Sequence, residues 1–401
     1  MRRLISILAV HQGSGLGGAP VSLIKLLAAL DPAAFQPTVV FTEPGDLLGY
    51  AHALGVPAQV VPTGGALFYS AHARLDTRSV ARFVRSFPSA VQTARRVLRQ
   101  ARPDVLHLNT SVLVAWAAAA RREHVPVLWQ VREVLGPQPL VRAWQASFIQ
   151  SHARRVVVIS DFVAACFAGP TTRVYNAVDL AEFDLALMTE RTAVRREIGV
   201  GPDAEVIMAI GSVQRVKGHW LLLDAFRRLN RPAARLVLVC GGVSPAYRQS
   251  LRGRVKRALG VPMDNLDLLL RDAARAGLTD RVHVTGYRRD IARVLTAADV
   301  LVFPSLAAEG FGRPIIEGMA MARPVIATAI GPSAELLGPA AGVPVPPSSQ
   351  ALSEAIATLL ADPERRAALG RAGRARVEQS FSLTEQVQAM SNIYREVARI
   401  G

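Results

Sequence analysis

The sequence predicts an α/β protein made of two doubly wound domains, and three observations carry this prediction. Short apolar runs alternate with longer segments of helical periodicity along most of the 401 residues, a pattern typical of parallel strands covered by helices on both faces. Half of the residues are hydrophobic, so each half of the chain can bury its own core. The strand rhythm lapses once near the middle and then restarts, which indicates two Rossmann-like halves.

Five apolar runs are the predicted strands of the first half. They are Leu4–Val10, Thr38–Phe41, Val105–Leu108, Val127–Val131 and Arg155–Ile159. Helical patterns fill the gaps between them, for example Val21–Leu30 and Ser111–Arg122. Around Asn176–Arg196 charged residues cluster, so we place the domain junction there, with an N-terminal domain at 1–185 and a second domain at 186–382.

The second half repeats the alternation. Its predicted strands are Glu205–Ile210, Leu236–Cys240, Val282–Thr285, Val300–Phe303 and Val325–Ala327, and its end is helical at Ala351–Leu360, Glu364–Glu378 and Leu383–Ile400. Doubly wound domains bind ligands beyond the carboxyl ends of their strands. We therefore expect the two domains to face each other across a cleft that holds the site.

Composition excludes several classes of protein. Two cysteines, Cys166 and Cys240, cannot form a disulfide framework or a paired-cysteine zinc site, which favours a reducing compartment. No uncharged apolar stretch approaches the roughly 18 residues of a membrane span. The start, Met1-Arg2-Arg3 before an apolar run, has no small-residue cleavage site after it. We expect a cytoplasmic protein.

The net charge of +16 is spread over both halves, with one concentration at Arg74–Arg102, where eight arginines are opposed only by Asp76. One helical face holds Arg78, Arg82 and Arg85, and after a predicted break at Pro88 another holds Arg95, Arg99 and Arg102. This stretch is either a solvated helix face or a docking surface for anionic lipid or a polyanionic acceptor. The basic runs mostly lack stacking aromatic residues, so no nucleic-acid partner is expected.

A glycine-rich loop, Gly13-Ser14-Gly15-Leu16-Gly17-Gly18, follows the first strand and precedes a helix. It satisfies the G-x-G-x-x-G pattern of dinucleotide-binding proteins, with Glu43 near the position of a ribose-binding acid, so an NAD(P)-dependent oxidoreductase is one alternative. However, His11 and Gln12 make the loop longer than the tight turn of that fingerprint. Whether or not the loop binds a dinucleotide, its glycines would let a ligand approach the N-terminus of the helix.

A second loop, from Gly211 to Gly218, contains Lys217. Of the 47 lysines and arginines, only Lys25, Lys217 and Lys256 are lysines. A lysine in a Gly-flanked loop between a strand and a helix therefore indicates a need for a compact charge, which suits a diphosphate. An exposed loop lysine without a function is the alternative for this segment taken alone.

The most specific indication of a binding site is one segment of the second half. It reads Glu309-Gly310-Phe311-Gly312-Arg313-Pro314-Ile315-Ile316-Glu317. Pro314 suits the first position of a helix, and Glu317 would then lie in the first turn. The glycines leave main-chain N–H groups accessible ahead of the helix, between two carboxylates that can bind vicinal hydroxyls of a sugar. A following loop, Gly331–Glu335, is interpreted as the cap of a short helix.

These residues together resemble the retaining, nucleotide-sugar-dependent glycosyltransferases of family 4, which have the two-domain GT-B architecture. In the second half the resemblance rests on Glu309–Ala320, Arg323–Thr328, Gly211 with Lys217-Gly218, Gly286-Tyr287 and Ala297–Val300. In the first half it rests on Gly17-Gly18-Ala19, Pro103–His107, Val157–Ser160 and Tyr175–Asp179. The matching motifs extend over nearly the whole chain.

The resemblance implies roles residue by residue. Glu309 would hold donor-sugar hydroxyls, Glu317 the nucleotide ribose, and Lys217 the leaving diphosphate, so Glu309 and Lys217 are the expected catalytic residues. Main chain around Tyr287 would meet the base. Phe311, Gly312 and Arg313, following Gly310, would contact sugar and phosphate, while Gly17 and Gly18 would approach the phosphates from the other domain. The helix in 383–401 would cross back to the first domain.

Three departures from the family pattern affect the expectations. Ser212 stands where the family often has arginine, and we expect Arg215 to supply that charge. Ala177 replaces a usual glycine. The strand Val127–Val131 leads to no histidine, so Gln130, Arg132 and Glu133 are the acceptor-side candidates.

The resemblance implies transfer from a UDP-, GDP- or ADP-sugar to a glycan, lipid-linked or small-molecule acceptor, with retained anomeric configuration. No Asp-x-Asp metal site is evident, so no cofactor or metal is expected. Ser212 and Gln130 keep open the alternative of a non-catalytic protein that only binds a nucleotide sugar. If the arginine stretch docks on lipid, the protein is peripheral on the cytoplasmic membrane face.

Overall fold

The structure, a computed structural model, describes residues 3–64, 77–136, 138–242, 250, 254 and 261–399. It consists of two compact units, one formed by residues 1–177 with 383–401 and the other by residues 178–382. Val178 pairs with Ser382 across a β-bridge, and Phe183 accepts a hydrogen bond from Arg374, so these residues belong with the second unit. The predicted junction at 185/186 therefore lies inside the second unit.

The first unit is built on a parallel seven-stranded sheet in the order β3-β2-β1-β4-β5-β6-β7. The strands are β1 (Ile5–His11), β2 (Phe35–Phe41), β3 (Ala58–Val60), β4 (Val105–Leu108), β5 (Val127–Val131), β6 (Arg155–Val158) and β7 (Thr172–Arg173). β4 and β5 are buried at every position, as expected for parallel strands covered on both faces.

Seven α-helices are described in this unit. They are α1 (Gly18–Ala28), α2 (Leu47–Ala53), α3 (Thr77–Ala101), α4 (Val114–Arg122), α5 (Pro139–His152), α6 (Asp161–Ala164) and, from the end of the chain, α15 (Leu383–Arg399). The core joins β1, β2 and α1 to α15 through Met390, Tyr394 and Val397. The C-terminal helix is therefore part of the hydrophobic core of the first unit.

Helix α3 corrects one expectation from the sequence. It runs through Pro88, where a break was predicted. An interior proline removes one N–H and crowds the carbonyl of the preceding turn, yet α3 accommodates Pro88 at an exposed position. Arg102 lies beyond the helix with a φ of 45°, and Arg74 and Asp76 lie outside the described residues.

The second unit contains a parallel six-stranded sheet in the order β10-β9-β8-β11-β12-β13. The strands are β8 (Glu205–Ile210), β9 (Ala234–Val239), β10 (Val282–Val284), β11 (Val300–Phe303), β12 (Val325–Thr328) and β13 (Val343–Val345). Strand order reverses between β8 and β11, the point at which such sheets bind ligands. Two doubly wound α/β domains, as predicted, are confirmed.

The helices described in the second unit are α7 (Arg191–Glu197), α8 (His219–Arg228), α9 (Asn265–Arg275), α10 (Ile291–Leu295), α11 (Arg313–Ala320), α12 (Ser333–Leu337), α13 (Ser349–Ala361) and α14 (Pro363–Ser380). Side chains cap three of them, since Asp264 accepts from Asp267 N–H at the start of α9, Ser348 from Ala351 N–H at α13 and Asp362 from Arg365 N–H at α14. Among the helices that the structure describes, none is both long and apolar enough to cross a bilayer.

Candidate active site

The candidate site lies at the carboxyl ends of β8 and β11, which are neighbours in the second sheet. The loop after β8 carries Lys217 and leads into α8, whereas the loop after β11 carries Glu309 and leads into α11. Adjacent parallel strands end at the same sheet edge, so the two loops are brought together by the topology alone. Lys217 and Glu309 therefore lie at the same sheet edge, beyond the carboxyl ends of β8 and β11.

Gly218 fixes the end of the Lys217 loop. Its φ of 73° and ψ of 17° are left-handed, and a Cβ there would lie 1.8 Å from the carbonyl oxygen of Pro304. Only glycine meets both conditions, because other residues clash in this conformation and would also strike the Pro304 backbone. The Lys217 loop and the Glu309 loop are thus in direct main-chain contact.

Hydrogen bonds continue this contact up to the charged groups. The Val216 carbonyl accepts from Leu306 N–H at 2.8 Å and from Ala307 N–H at 3.2 Å. Immediately after Val216, the Lys217 ammonium lies 3.7 Å from Glu309 Oε2, with 33% and 26% of the two side chains exposed. The structure therefore brings a cation and a carboxylate together within reach of solvent.

Glu309 is oriented by residues that the sequence analysis missed. Ser305 Oγ lies 3.2 Å from Glu309 Oε1 and 3.0 Å from the Ala307 carbonyl oxygen, so its one hydrogen is shared between these acceptors, and Thr328 Oγ1 donates to the Ser305 carbonyl at 2.5 Å. Gly331, with a φ of 59°, lets its loop pass close to Glu309, since a Cβ there would lie 3.3 Å from the Glu309 carbonyl oxygen. The signal that could have found them is a polar residue at or just beyond the end of each of two neighbouring strands.

The second glutamate lies on α11, which begins one residue earlier than predicted. Gly312 is the N-cap, Arg313 is the first helical residue, and Glu317 is the fifth, so Glu317 lies in the second turn and not in the first. The whole residue Glu317 is 7% exposed. Its Oε1 accepts hydrogen bonds from Arg313 Nε at 3.1 Å and from Arg313 Nη2 at 3.0 Å. Arg313 is thus engaged by Glu317.

Phe311 differs from its expected role as a ligand contact. Its ring is 4% exposed and packs edge-on against Phe381 at 6.3 Å between ring centres. The side chain is therefore part of the core, and any contact with a ligand falls to the main chain of the loop around Gly310 and Gly312.

Arg215 and Tyr287 lie at different places on the unit. The Arg215 guanidinium stacks on Trp220 at 4.5 Å from the ring centre, and no contact among the described residues joins it to Lys217 or Glu309. The expectation that Arg215 supplies the charge absent at Ser212 gains no support from this geometry.

Tyr287 follows β10 and is 65% exposed, so its ring is accessible to a ligand.

In the first unit, the glycine loop follows β1 as predicted. Gly17 is the N-cap of α1 in an extended conformation, Gly18 is its first residue, and both are exposed. No side chain caps this helix, and Pro20 has no N–H, so the first-turn donors without a capping side chain are the N–H groups of Gly18 and Ala19. This is the geometry that suits an anionic ligand.

The acceptor-side candidates belong to a buried polar network at the ends of β4 and β5. Gln130 is fully buried, and its Oε1 accepts from Arg132 Nη2 at 2.9 Å. Arg132 also donates to Asn109 Oδ1 at 2.7 Å and to Asn176 Oδ1. Glu133 Oε2 accepts from the Ser111 N–H at 3.1 Å. All three candidates thus lie in one cluster, although Gln130 is a core residue.

Histidines adjoin this network and were not singled out from the sequence. His107 Nδ1 is 2.8 Å from Tyr394 Oη on α15, its Nε2 is 3.2 Å from Gln130 Oε1, and His11 Nδ1 is 3.0 Å from Asn109 Nδ2. Burial, with a smaller effect of Arg132, lowers the pKa of His11 and of His107 to about 3. Both imidazoles are therefore neutral. Burial also raises the pKa of Glu133.

Within the ranges of the chain that the structure describes, no group of three or more His, Cys, Asp or Glu side chains could hold a metal ion. In the second unit, Glu309 Oε2 lies 3.7 Å from the Lys217 ammonium. The arrangement can receive an anion through an ammonium and main-chain N–H groups, and hydroxyls through two carboxylates.

Two family profiles match the chain. Residues 190–376 match Glycosyl transferases group 1, and residues 16–182 match Glycosyltransferase Family 4. The first match contains the Lys217 and Glu309 loops, and the second contains the Gly17 loop and the buried network of the first unit. Together the two matches cover most of both units.

Curated relatives agree with the profiles. The lipopolysaccharide core biosynthesis mannosyltransferase LpsB of Rhizobium meliloti is 26% identical over 63% of this chain and 69% of its own length. The D-inositol 3-phosphate glycosyltransferase of Kineococcus radiotolerans is 32% identical over 66% of this chain, and the chain spans about 60% of that relative. The enzyme of the same name from Xylanimonas cellulosilytica is 28% identical over 98% of this chain and 97% of its own length.

Solved structures show the same fold. The Anabaena protein HepE, crystallised with UDP and glucose, superimposes with a TM-score of 0.76 at 22% identity and covers 97% of this chain and 99% of its own. The similarity at this identity concerns the fold, which is the GT-B architecture of two parallel-sheet domains. The two profiles and the curated relatives show that the chain belongs to the family 4 glycosyltransferases, and the solved structures show that it has their GT-B fold.

Proposed function

We propose that the protein transfers a sugar, in the first instance a hexose, from a nucleoside diphosphate donor to an acceptor hydroxyl, with retention of anomeric configuration. The observation that carries this proposal is the Lys217 ammonium 3.7 Å from Glu309 Oε2 at the end of two adjacent strands. A nucleotide sugar carries sugar hydroxyls next to a diphosphate. The Glu309 carboxylate can accept hydrogen bonds from the hydroxyls, and the Lys217 ammonium can bind the diphosphate.

The chemistry follows from charge. The bond between the anomeric carbon and the phosphate oxygen breaks, and the electron pair leaves with the nucleoside diphosphate. Lys217 and main-chain N–H groups ahead of α11 stabilise the negative charge that develops on that leaving group. Glu309, fixed by Ser305, holds sugar hydroxyls in the orientation for transfer. The acceptor oxygen forms the new bond to the anomeric carbon, and its proton passes to an oxygen of the departing diphosphate.

We infer a metal-independent reaction, because a lysine takes the position in which a divalent cation would otherwise meet the diphosphate. Donor turnover should be unchanged after treatment with EDTA and restoration of buffer. A loss of turnover with EDTA that Mg²⁺ or Mn²⁺ restores would contradict this inference.

The acceptor is assigned to the first unit, where Arg132 and Glu133 lie at the end of β5. Relatives named as acting in lipopolysaccharide core synthesis or on D-inositol 3-phosphate support an acceptor that is a glycan, a lipid-linked glycan or a phosphorylated polyol.

The test begins with a thermal-shift screen of UDP-, GDP- and ADP-sugars, followed by turnover of the stabilising donor. Lys217→Met and Glu309→Gln should each lower turnover by about 100-fold or more, the effect of losing a transition-state contact. Lys25→Met, a lysine on α1, is the matched control and should keep full turnover. Stabilisation by NAD and not by any nucleotide sugar would favour an oxidoreductase. Donor binding without hydrolysis or transfer would favour a non-catalytic binding protein.

We further propose that the first turns of α3 bind an anionic membrane surface. No residue from 77 to 89 is buried, and Arg78, Arg82 and Arg85 are exposed. By contrast, Arg95 and Arg99 both donate to Glu123, at 2.6 and 2.8 Å, and are occupied within the unit. In the second half of the helix Arg96 is also exposed, but Arg78, Arg82 and Arg85 are the arginines on the segment in which no residue is buried.

Co-sedimentation with vesicles tests this surface. Vesicles containing phosphatidylglycerol should pellet the wild type but not the triple variant R78A/R82A/R85A, because each exposed arginine contributes about 1 kcal/mol near an anionic bilayer. The triple variant R227A/R228A/R275A removes equal charge from the second unit and should still pellet. Equal pelleting with neutral phosphatidylcholine vesicles would contradict the proposal.

A further inference from the structure

Arg313 and Glu317 form an ion pair whose position on α11 is not explained by helix stability. Arg313 is the first residue of the helix, where a positive charge is disfavoured by the helix dipole. The order of the pair is also the less favourable one, since an acidic residue four positions before a basic one stabilises a helix better than the reverse. The side chains are only 21% and 10% exposed.

The geometry leaves one carboxylate oxygen open. Arg313 Nε and Nη2 both donate to Glu317 Oε1, at 3.1 and 3.0 Å, which occupies the two acceptor directions of that oxygen. No residue that the structure describes donates to Glu317 Oε2. A carboxylate that could rotate between two equivalent orientations is thereby held in one, with a single oxygen available for a ligand.

The guanidinium itself has a buried donor to spare. Arg313 Nη1 is buried, and no described protein group accepts from it. Buried donors of folded proteins are nearly always paired, with protein, water or ligand. The pair therefore presents an open acceptor at Oε2 and an open donor at Nη1 on the first two turns of α11, the helix that follows the Glu309 loop.

We propose that Arg313 is a positioning residue that directs Glu317 Oε2 to the ribose hydroxyls of the donor, and so gives the protein its preference for ribonucleotides over deoxyribonucleotides. This inference rests on the proposed function, and it adds a specificity determinant to that site. A free oxygen with two unoccupied acceptor directions can bind the vicinal 2′- and 3′-hydroxyls together. Deleting the 2′-hydroxyl removes one of these bonds.

The experiment measures dissociation constants by calorimetry for whichever of UDP, GDP or ADP binds best, and for its 2′-deoxy form. The wild type should prefer the ribonucleotide by about tenfold, the loss expected for one hydrogen bond to a charged group. In Arg313→Met the ribonucleotide should weaken to nearly the affinity of the deoxy form, so that the ratio approaches one. Glu317→Gln should lower the same ratio.

The control is Arg228→Met, which removes an exposed arginine paired with Asp224 four positions away on α8. It should leave the ratio at the wild-type value. Arg313→Gln replaces the methionine variant if the latter does not reach the wild-type unfolding temperature.

A merely structural role for Arg313 would weaken both nucleotides by the same factor and keep the ratio, and that result would overturn the proposal. A wild-type ratio near one would overturn it as well. If the wild type binds no nucleotide at all, the proposed function itself fails and this inference fails with it.

Discussion

Gly218→Ala is the substitution whose effect can be worked out most fully from the structure. The new Cβ would lie 1.8 Å from the Pro304 carbonyl oxygen, whereas ordinary contacts begin near 3.4 Å. One loop must therefore retreat by about 1.6 Å, and the residue must also keep a left-handed φ of 73°. The left-handed conformation costs about 1–2 kcal/mol, and overpacking typically adds about 1–3 kcal/mol. Together they give a destabilisation of about 2–5 kcal/mol.

The displacement should affect donor turnover beyond this loss of stability. Lys217 and Glu309 are carried by the two loops that the new methyl group forces apart, and a misplacement of about 1 Å can lower a rate by about 100-fold. We expect kcat/KM for donor turnover to fall by at least that factor under conditions in which the variant is fully folded, as judged by chemical denaturation.

Gly277→Ala is the matched control. Gly277 has a φ of 71°, and its Cβ would meet nothing within 4 Å, so the variant has the conformational strain without the clash. It should lose about 1–2 kcal/mol of stability and keep its turnover. If Gly218→Ala retained donor turnover within twofold of Gly277→Ala, the inferred contact between the two loops would be wrong.

Three further predictions concern the rest of the chain. Ser305→Ala frees Glu309 Oε1 from its hydroxyl and should lower donor turnover by about tenfold, whereas unchanged kinetics would show that Glu309 needs no orientation. Tyr394→Phe leaves His107 Nδ1 without its buried partner and should lower the free energy of unfolding by about 1–3 kcal/mol in urea titrations, with an unchanged midpoint as the contradicting result. His11 and His107 have folded pKa values of about 3 against 6.5 when unfolded, so the unfolded chain binds more protons below pH 6.5. The stability of the fold should therefore fall as pH drops from 6.5 towards 3, by about 1.4 kcal/mol per pH unit for each histidine, and equal urea midpoints at pH 7 and pH 5 would refute this.

The central strands could be predicted because they are buried on both faces and read as unbroken apolar runs. Val105–Leu108, Val127–Val131, Glu205–Ile210 and Val300–Phe303 have the predicted limits. The strands that were missed, β3, β7 and β13, all lie at the edges of their sheets and have two or three residues each. These three strands bury little, so their sequences carry no comparable pattern, whereas β10, the fourth edge strand, was predicted.

In the candidate site, too, some residues could be predicted from the local sequence and others could not. Lys217 and Glu309 were found from local signals, a strand end followed by glycines and a helix. Ser305 and Thr328 act through hydrogen bonds between neighbouring strands, which depend on the register of β11 with β12. The contact of His107 with Tyr394 joins positions 287 residues apart in the chain, and no local pattern predicts it. Spacing alone cannot identify such partners, because they meet only through tertiary packing.

The most direct test of the account is the affinity of Lys217→Met for a nucleoside diphosphate compared with the corresponding monophosphate. If the ammonium beside Glu309 receives the diphosphate, the wild type should prefer the diphosphate, and the variant should lose that preference by about tenfold, the value of one charge-assisted hydrogen bond. Lys25→Met should keep it. A diphosphate preference that is the same in Lys217→Met and in the wild type would contradict the account.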